Sequence, residues 1–307
     1  MDVVPEGDLA QWEGRKAAPW TDADGYLHGR GAVDMKGGMA AFISAFLKNL
    51  DAIRENQRVL IGLLFTVDEE TSLAGASAFV ASPHARLFGK AILPEPTGLQ
   101  PVRGHKGVLF LRFTVRGIAA HGAVPERGVN AINLAMDMYK AIDTQYKSIR
   151  AARAHAILGP PVMSLGMFSG GEKVNVVPDA CTFSIDRRIV PAETPSGVTE
   201  EILATARSCP LPPGASFSQE VINARPPYYL EDSHEFLQQV CSLTGPPGVM
   251  DGYTEAGIFY NEANIPTIIL GPGNISDAHV TNEKVAIADL VAAEKIYARI
   301  MMDYSNR

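Results

Sequence analysis

The chain has 307 residues, of which 46% are hydrophobic and 20% charged, a composition typical of a globular protein with a sizeable core. Its formal net charge of −7 argues against a nucleic-acid-binding surface, since such surfaces are usually basic. The longest apolar runs, such as residues 59–67, are far shorter than the roughly 18 residues that a membrane span needs. We find no signal peptide, and the three widely spaced cysteines favour reduced thiols in a cytoplasmic protein.

The first hundred residues predict an alternation of helices and strands. Residues 40–54 are predicted to form a helix, because apolar residues recur there at three- and four-residue spacing. Residues 59–67 form a continuous apolar run, which predicts a strand buried between helices on both faces. A helix over 73–80 and a short strand over 91–93 follow. This alternation predicts an α/β layer structure.

The middle of the chain predicts a second kind of unit, with four strands and two helices. In chain order these are a strand over 108–115, a helix over 130–146, strands over 162–168 and 181–187, a helix over 198–207 and a strand over 216–222. The order β-α-β-β-α-β is a compact unit that can fold on its own. We therefore predict an inserted domain over residues 104–213.

After the insertion, α/β character returns. A helix is predicted over 236–243, a buried strand over 265–270 and a final amphipathic helix over 283–302. Residues 1–103 and 214–307 are therefore expected to form one α/β domain.

Two segments with acidic residues lie at the ends of the predicted elements of the first hundred residues. Residues 29–38 are rich in glycine and contain Asp34; they lack the spacing of either nucleotide-binding motif, which leaves a possible phosphate cradle or a simple turn before a helix. Glu69 and Glu70 follow the apolar run 59–67, where open α/β sheets place ligands. As strand neighbours they would face opposite sides and have different roles, although a solvated acidic loop is the alternative.

Two further candidates complete the set. Glu95 follows the strand over 91–93 between two prolines, which stiffen the backbone on both sides. His279 lies in a loop after the strand over 265–270; alone, it would usually be a surface residue. Carboxylates at successive strand ends together with one imidazole suit zinc, cobalt or manganese in a two-metal site. A free carboxylate could then take a proton from an activated water.

Five short motifs are spread along nearly the whole chain. They are Asp2-Val3-Val4-Pro5, Gly29-Arg30-Gly31 through Asp34-Met35-Lys36-Gly37, Asp68-Glu69-Glu70, Glu95-Pro96-Thr97, and Ala278-His279 with Asn282-Glu283. Together they resemble the acetylornithine deacetylase and succinyl-diaminopimelate desuccinylase family of dinuclear metallohydrolases, which includes carboxypeptidases and aminoacylases. The resemblance implies a zinc-exopeptidase-like catalytic domain with a mixed sheet flanked by helices, and an inserted ferredoxin-like lid and dimerisation domain.

The resemblance also implies a role for each residue of the metal site. Asp34 would bridge two metal ions, zinc in the family. Glu70 and His279 would complete one metal, and Glu95 would belong to the other. Glu69 would be the general base and later the proton donor.

The same resemblance implies roles for residues that would lie beside the metal ions. Asp2 matches an aspartate that orients a metal-binding histidine, and His121 matches a lid histidine that polarises the scissile carbonyl in the partner subunit's site. Asn175, Arg188 and Thr254 match positions near the substrate. Arg188 could hold a substrate carboxylate through two hydrogen bonds, with a surface salt bridge as the alternative.

One ligand of the family pattern is absent. The histidine of the family's His-x-Asp motif lies two residues before the aspartate, which is Asp2 here, so it would fall just before Met1. A start codon placed too far downstream would explain this, and so would a shortened chain that binds one metal or none. The family's upstream strands are missing as well, and their loss would expose a sheet edge.

The leading functional hypothesis is metal-dependent hydrolysis of an N-acyl amino acid, with acetylornithine as the best match. A desuccinylase, a dipeptidase or a carboxypeptidase is the alternative within the same class. A different class, a non-catalytic family remnant that dimerises or binds a small molecule, follows from the absent histidine. Retention of Glu69 argues against it, because a mere binder needs no general base. We expect a homodimer and neither a nucleic-acid nor a membrane partner.

Overall fold

A computed structural model describes residues 2–15, 17–56 and 59–305 of the chain. Its helices are α1 (Gly37–Lys48), α2 (Leu50–Glu55), α3 (Ala74–Ala81), α4 (Ala131–Arg150), α5 (Pro195–Ser208), α6 (Glu235–Thr244), α7 (Glu255–Ala263) and α8 (Ile287–Ser305). Its strands are β1 (Trp20–Thr21), β2 (Tyr26–His28), β3 (Ala91–Leu93), β4 (Val102–His105), β5 (Gly107–Arg116), β6 (Ala120–His121), β7 (Val162–Gly170), β8 (Val176–Val177), β9 (Ala180–Ile189), β10 (Ser216–Arg225), β11 (Tyr228–Tyr229), β12 (Gly248–Met250), β13 (Thr267–Ile269) and β14 (Lys284–Ala286).

These elements group into two compact units. Unit 1 comprises residues 1–104, 229–250 and 254–307, and unit 2 comprises residues 105–228 and 251–253. Unit 2 therefore runs to residue 228, whereas the sequence prediction ended the insertion at 213. The difference arises because β10 pairs with β5 along its length and so belongs to the sheet of unit 2.

Unit 1 contains two sheets covered by helices. In one, β2 lies between β1 and β14, and all pairs are antiparallel. In the other, β13 lies between β3, to which it is parallel, and β4, to which it is antiparallel. Helices α1 and α8 pack together through stacked rings of Phe42 and Tyr297, whose centroids are 3.9 Å apart. The predicted mixed α/β fold is confirmed, and no helix in the described ranges is long and apolar enough to cross a membrane.

The predicted strand over residues 59–67 is wrong. All nine residues are described, yet none lies in a strand and none is buried. Leu60, Leu64, Phe65 and Val67 are exposed by 59%, 45%, 48% and 54%. An apolar run becomes a strand only when a neighbouring strand accepts its backbone hydrogen bonds, and no described strand does so here.

Two helices differ from their predicted limits. The helix predicted over 40–54 is divided at Asn49, where the backbone leaves the helical region and the side-chain amide donates to the carbonyl of Ala45 at 2.8 Å. The final helix begins at Ile287 rather than at residue 283, because residues 284–286 pair with β2 as strand β14. The helices predicted near α3 and α6 and the strand at 91–93 are present.

Unit 2 is a four-stranded antiparallel sheet in the order β10-β5-β9-β7 with two helices on it. Along the chain its main elements follow the predicted order β-α-β-β-α-β. Asn130 caps α4, accepting hydrogen bonds from the backbone of Ile132 at 2.9 Å and Asn133 at 3.2 Å. The alternating residues of β5 are buried against these helices as the period of two predicts; they are Leu109, Leu111, Phe113 and Val115.

Candidate metal centre

Three side chains from distant parts of unit 1 meet at one point. The Nε2 atom of His279 lies 3.1 Å from an Oδ2 of Asp34 and 3.1 Å from an Oε2 of Glu70. One potential ligand atom from each residue falls within 4.8 Å of the others. The structure thus brings together three of the four predicted metal ligands in a single cluster.

Turns rather than strands or helices hold these ligands. Asp34 lies in the turn Ala32–Lys36 directly before α1, its own backbone is extended with a φ of −119° and a ψ of 95°, and its peptide bond to Met35 is cis. Glu70 lies in a turn whose first residue, Asp68, has a φ of 60°, and His279 has a φ of 59°. Left-handed backbone is unfavourable for residues other than glycine, and such strain tends to occur at functional sites. The argument that Glu69 and Glu70 alternate along a strand therefore fails.

Glu95 adjoins this cluster from the other side of Asp34. It follows β3, is buried, and shares a hydrogen bond with the carboxyl group of Asp34. Two glycines allow neighbouring segments to lie against the backbone of Pro94 and Glu95. A Cβ on Gly38 would lie 2.4 Å from the carbonyl oxygen of Pro94, and one on Gly271 would lie 2.4 Å from the carbonyl oxygen of Glu95. The Glu95 side chain is held where a second cation next to Asp34 could reach it.

Glu69 and Glu70 are linked to the N-terminal segment through Asp2. The two carboxylate oxygens of Asp2 accept hydrogen bonds from the backbone amides of Glu69, at 3.2 Å, and Glu70, at 3.3 Å. Asp2 therefore fixes the turn that carries both glutamates. Its predicted partner, a histidine two positions before it, would fall outside the 307-residue sequence.

The electrostatics of the cluster favour protonated carboxyl groups. Burial and the nearby Glu70 raise the pKa of Glu69 to about 8. Burial is also the main cause that raises the pKa of Asp34, Glu70 and Glu95, and the charge of Asp34 adds to the effect on the two glutamates. Crowded carboxylates in a low-dielectric site are unfavourable unless a cation compensates their charge.

The donor set fits a divalent metal ion. Two carboxylates and one imidazole converge within ligand distance, and a third carboxylate is joined to the first. Oxygen-rich sets with one nitrogen suit zinc, cobalt or manganese. A cation among these groups would favour their charged forms and so oppose both causes of the raised pKa values, burial and the neighbouring negative charges.

A cavity of about 580 Å³ opens beside the acidic cluster within unit 1. Asp34, Glu69, Glu70 and Glu95 line one part of its wall, and apolar side chains from residues 59–66 line another. Its size is that of a small-molecule site.

The other predicted site residues lie elsewhere along the chain. His121, in β6 of unit 2, is exposed, and its Nδ1 accepts a hydrogen bond from the amide of Ala123 at 3.1 Å. Asn175 is close to it, because its carbonyl accepts from the amide of Gly122 at 2.8 Å. Arg188 forms two hydrogen bonds with Asp186, at 2.8 and 3.0 Å, which matches the salt-bridge alternative.

Thr254 of unit 1 is buried, and its hydroxyl oxygen accepts from the amide of Ala256 at 3.3 Å as the N-cap of α7. This capping contact gives Thr254 a structural role, and a contact between Thr254 and a substrate stays a prediction. The residue after it, Glu255, was missed as part of the site. Its buried carboxylate lines the cavity and contributes to the raised pKa of Glu69.

An α/β unit with a carboxylate–imidazole cluster, and with Glu69 beside that cluster on the same cavity wall, has the residues of a metal-dependent hydrolase. Residues 1–303 match Peptidase family M20/M25/M40, and the chain belongs to that family, whose members hydrolyse amide bonds. Among its relatives is an acetylornithine deacetylase from Yersinia pseudotuberculosis, which is 32% identical over 98% of this chain and 76% of its own length. Another, from Shigella sonnei, is 34% identical over 92% of this chain and 73% of its own length.

Solved structures support the fold. A metallo-carboxypeptidase of the M20 family from Sulfolobus solfataricus aligns with a TM-score of 0.76 at 19% identity, covering 100% of this chain and 84% of its own. The aminopeptidase PepT from Bacillus cereus aligns with a TM-score of 0.73 at 22% identity, covering 94% and 76%. At such identities the likeness concerns the fold alone.

Proposed function

We propose that this chain hydrolyses the amide bond of an N-acyl amino acid, with N-acetylornithine as the preferred substrate. The observation that carries the proposal is the position of Glu69, a glutamate outside the three-ligand cluster that lines the same cavity. Relatives named acetylornithine deacetylase, at 30–34% identity over 92–99% of the chain, support the substrate.

Asp34, Glu70 and His279 would hold one divalent ion, and Asp34 with Glu95 would hold a second. We propose zinc, with cobalt or manganese as alternatives. When bound, the ions would polarise the substrate carbonyl and make a water molecule more acidic. Asp2, by accepting from the amides of Glu69 and Glu70, fixes the position of the base.

Glu69 carries the proton transfers of the proposed reaction. Its carboxylate takes a proton from the attacking water as the new bond between oxygen and the carbonyl carbon forms. It then gives this proton to the amide nitrogen as the carbon–nitrogen bond breaks. The products are acetate and the free amine of ornithine.

Glu69 provides the test. Glu69→Gln removes the base while keeping the shape of the side chain, so we expect the release of ornithine from N-acetylornithine to fall about 10²- to 10⁴-fold. Metal content, measured by atomic emission, should stay unchanged because Glu69 is not among the ligands. Glu172→Gln, at an exposed acid of unit 2, is the control and should retain the wild-type rate.

The outcome also separates the alternatives. Activity that survives Glu69→Gln would contradict the role of Glu69. Faster hydrolysis of N-succinyl-diaminopimelate or of a dipeptide would assign the chain to another branch of the family. Cation binding without hydrolysis of any of these amides would favour a non-catalytic binding protein.

Metal stoichiometry is a second measurement. Among the described residues, Glu95 and the shared Asp34 are the two side chains proposed for the second ion, against three for the first. We therefore expect fewer than two tightly bound zinc ions per chain after dialysis. Two tightly bound ions together with normal N-acetylornithine turnover would refute this expectation.

We further propose a homodimer formed through unit 2, with His121 acting on the carbonyl in the partner's site and Asn175 and Arg188 near the substrate. Strand β7 is an edge strand of its sheet and exposes Val162, Met167 and Phe168, which supports an interface there. We also propose a cytoplasmic location, consistent with the free cysteines Cys181, Cys209 and Cys241.

A further inference from the structure

Glu283 is a buried carboxylate whose hydrogen bonds converge on the segment that carries Asp34. Only 1% of the residue is exposed. Its Oε1 accepts from the backbone amides of Val33, at 3.0 Å, and of Asp34 itself, at 3.1 Å. Its Oε2 accepts from the guanidinium of Arg30 at 2.6 Å.

The charge of Glu283 is compensated inside the same segment. Arg30 is also buried, with 6% of its side chain exposed, and its guanidinium lies 5.2 Å from the ring centre of Trp12. The backbone adds a further link, because the amide of Gly29 donates to the carbonyl of Glu283 at 2.9 Å. A buried ion pair with several hydrogen bonds fixes geometry more than it adds stability.

Glu283 also belongs to the loop that carries the imidazole ligand. It lies four positions after His279, and Asn282 between them has a left-handed φ of 62°. The Asn282 side chain is held as well, since its Oδ1 accepts from the amide of Glu13 at 2.6 Å. The carboxylate of Glu283 therefore joins the loop of one ligand to the backbone of another.

We propose that Glu283 is the positioning residue of the metal centre: it sets the distance between the Asp34 carboxylate and the His279 imidazole and thereby the affinity for a divalent cation. The inference rests on the metal centre of the proposed function but not on hydrolysis. Glu283 itself points its oxygens at amides and a guanidinium, so it acts through Asp34 rather than as a ligand. Without Glu283, the Asp34 carboxylate would move among positions from which it and the His279 imidazole cannot bind the same ion.

The test uses Glu283→Gln and Glu283→Ala in the full chain. The glutamine keeps an acceptor for the two amides but turns an NH₂ group toward Arg30, and the alanine removes every side-chain contact. Partners that orient metal ligands typically contribute about 10- to 100-fold in affinity. We expect Co²⁺ affinity, measured by competition with a chromophoric chelator, to fall about 10-fold or more for both variants, with a changed visible spectrum of the bound Co²⁺.

Glu193→Gln is the matched control. Glu193 of unit 2 is also buried, accepts from Arg187 at 2.5 Å and from the amide of Val190 at 3.2 Å, and has no metal ligand in its segment. It should lower the thermal unfolding temperature while leaving Co²⁺ affinity and spectrum as in the wild type. If both Glu283 variants behaved like Glu193→Gln, Glu283 would be merely structural and the proposal overturned.

Wild-type protein supplies a measurement that does not depend on the variants folding. Addition of Co²⁺ should slow amide hydrogen exchange in residues 29–34 and in residues 282–285 together, because Glu283 couples them. Protection of residues 29–34 without 282–285 would overturn the proposal, and so would a wild-type chain that binds no Co²⁺. A chain that binds Co²⁺ as expected but hydrolyses no amide would leave the proposal standing and refute only the proposed function.

Discussion

His105 is a fully buried imidazole at the start of unit 2. Its Nδ1 contacts the carbonyl oxygen of Lys106 at 3.0 Å, and its ring packs against the rings of Tyr228 and Tyr253. Burial lowers the pKa of His105 to about 4, and the charge of Arg188 adds to this effect. The folded protein therefore holds this imidazole neutral where the unfolded chain would protonate it.

This burial predicts a pH-dependent stability. Between pH 6.5 and pH 4 the unfolded state binds more protons at His105 than the folded state, so stability is present above this range and is lost as the pH falls through it. For this one group the loss in the free energy of unfolding amounts to about 3 kcal/mol. The raised pKa values of Glu69 and the neighbouring carboxyl groups act in the opposite direction over the same range, so the contribution of His105 is measured as a difference between the wild type and a variant in urea unfolding at a series of pH values.

The variant His105→Gln should lose less stability than the wild type as the pH falls from 6.5 to 4, because no imidazole at position 105 then remains to be protonated on unfolding. His84→Gln, at an exposed histidine of unit 1, is the control and should keep the wild-type slope. An unchanged slope in His105→Gln would show that another group dominates.

At the scale of elements, the end of β13 carries the segment that holds Glu95. The amide of Leu270 donates to the carbonyl of Leu93 at 2.8 Å, and the carbonyl of Gly271 accepts from Thr97 at 3.2 Å and from Leu99 at 2.9 Å. At Gly271 a Cβ would lie 2.3 Å from the carbonyl oxygen of Pro94, which is backbone and cannot move alone. Only glycine lets the two strand ends approach so closely.

Gly271→Ala should therefore push the Pro94–Glu95 backbone away from β13. We expect a loss of about 1–3 kcal/mol in unfolding free energy, typical of overpacking, together with weaker metal binding. Gly89→Ala is the matched control, since a Cβ there meets nothing within 4 Å. Urea midpoints and chelator competition would measure both effects, and equal behaviour of the two variants would contradict the explanation.

Local patterns predicted the elements whose partners are close in sequence or whose periodicity is strong. The alternation over Leu109 to Val115 specified the buried face of β5, and the spacing in α4 and its Asn130 cap specified a helix start. The run over 59–67 failed because a strand depends on neighbours that its own residues do not encode. β1 and β2, of two and three residues, are too short to show a period.

The same contrast holds at the site. Asp34, Glu70, Glu95 and His279 were predicted as metal ligands from short motifs, because motif spacing can be read without knowledge of the fold. The hydrogen bond from Asp34 to Glu283 joins residues 249 positions apart, and no sequence period reports such a contact. In the sequence Glu283 is only the last residue of a motif, and the contacts of its carboxylate are visible only in the structure.

At the scale of the whole molecule, two stretches of the described chain each carry several exposed apolar side chains. One is residues 59–67 of unit 1, and the other is the edge strand β7 of unit 2. Met167 is 64% exposed on that edge. An unpaired, apolar edge strand favours association with another strand.

We expect Met167→Lys to convert the proposed dimer into a monomer, because a charge on the edge would have to be desolvated in the interface. Light scattering after size exclusion would give the mass of each species. Leu47→Lys, at a residue of α1 in unit 1 that is 60% exposed, should remain a dimer. If Met167→Lys stayed dimeric, the interface would lie on another surface.

The sequence separations within the metal centre affect the unfolded chain as well as the folded one. Asp34 and Glu70 are 36 positions apart, and His279 lies 209 positions beyond Glu70. An ion held by all three would close one short and one very long loop, as a covalent cross-link between the same positions would. Because only the folded chain gathers these ligands, an ion bound by all three would stabilise the folded state and oppose the opening of unit 1 as a whole.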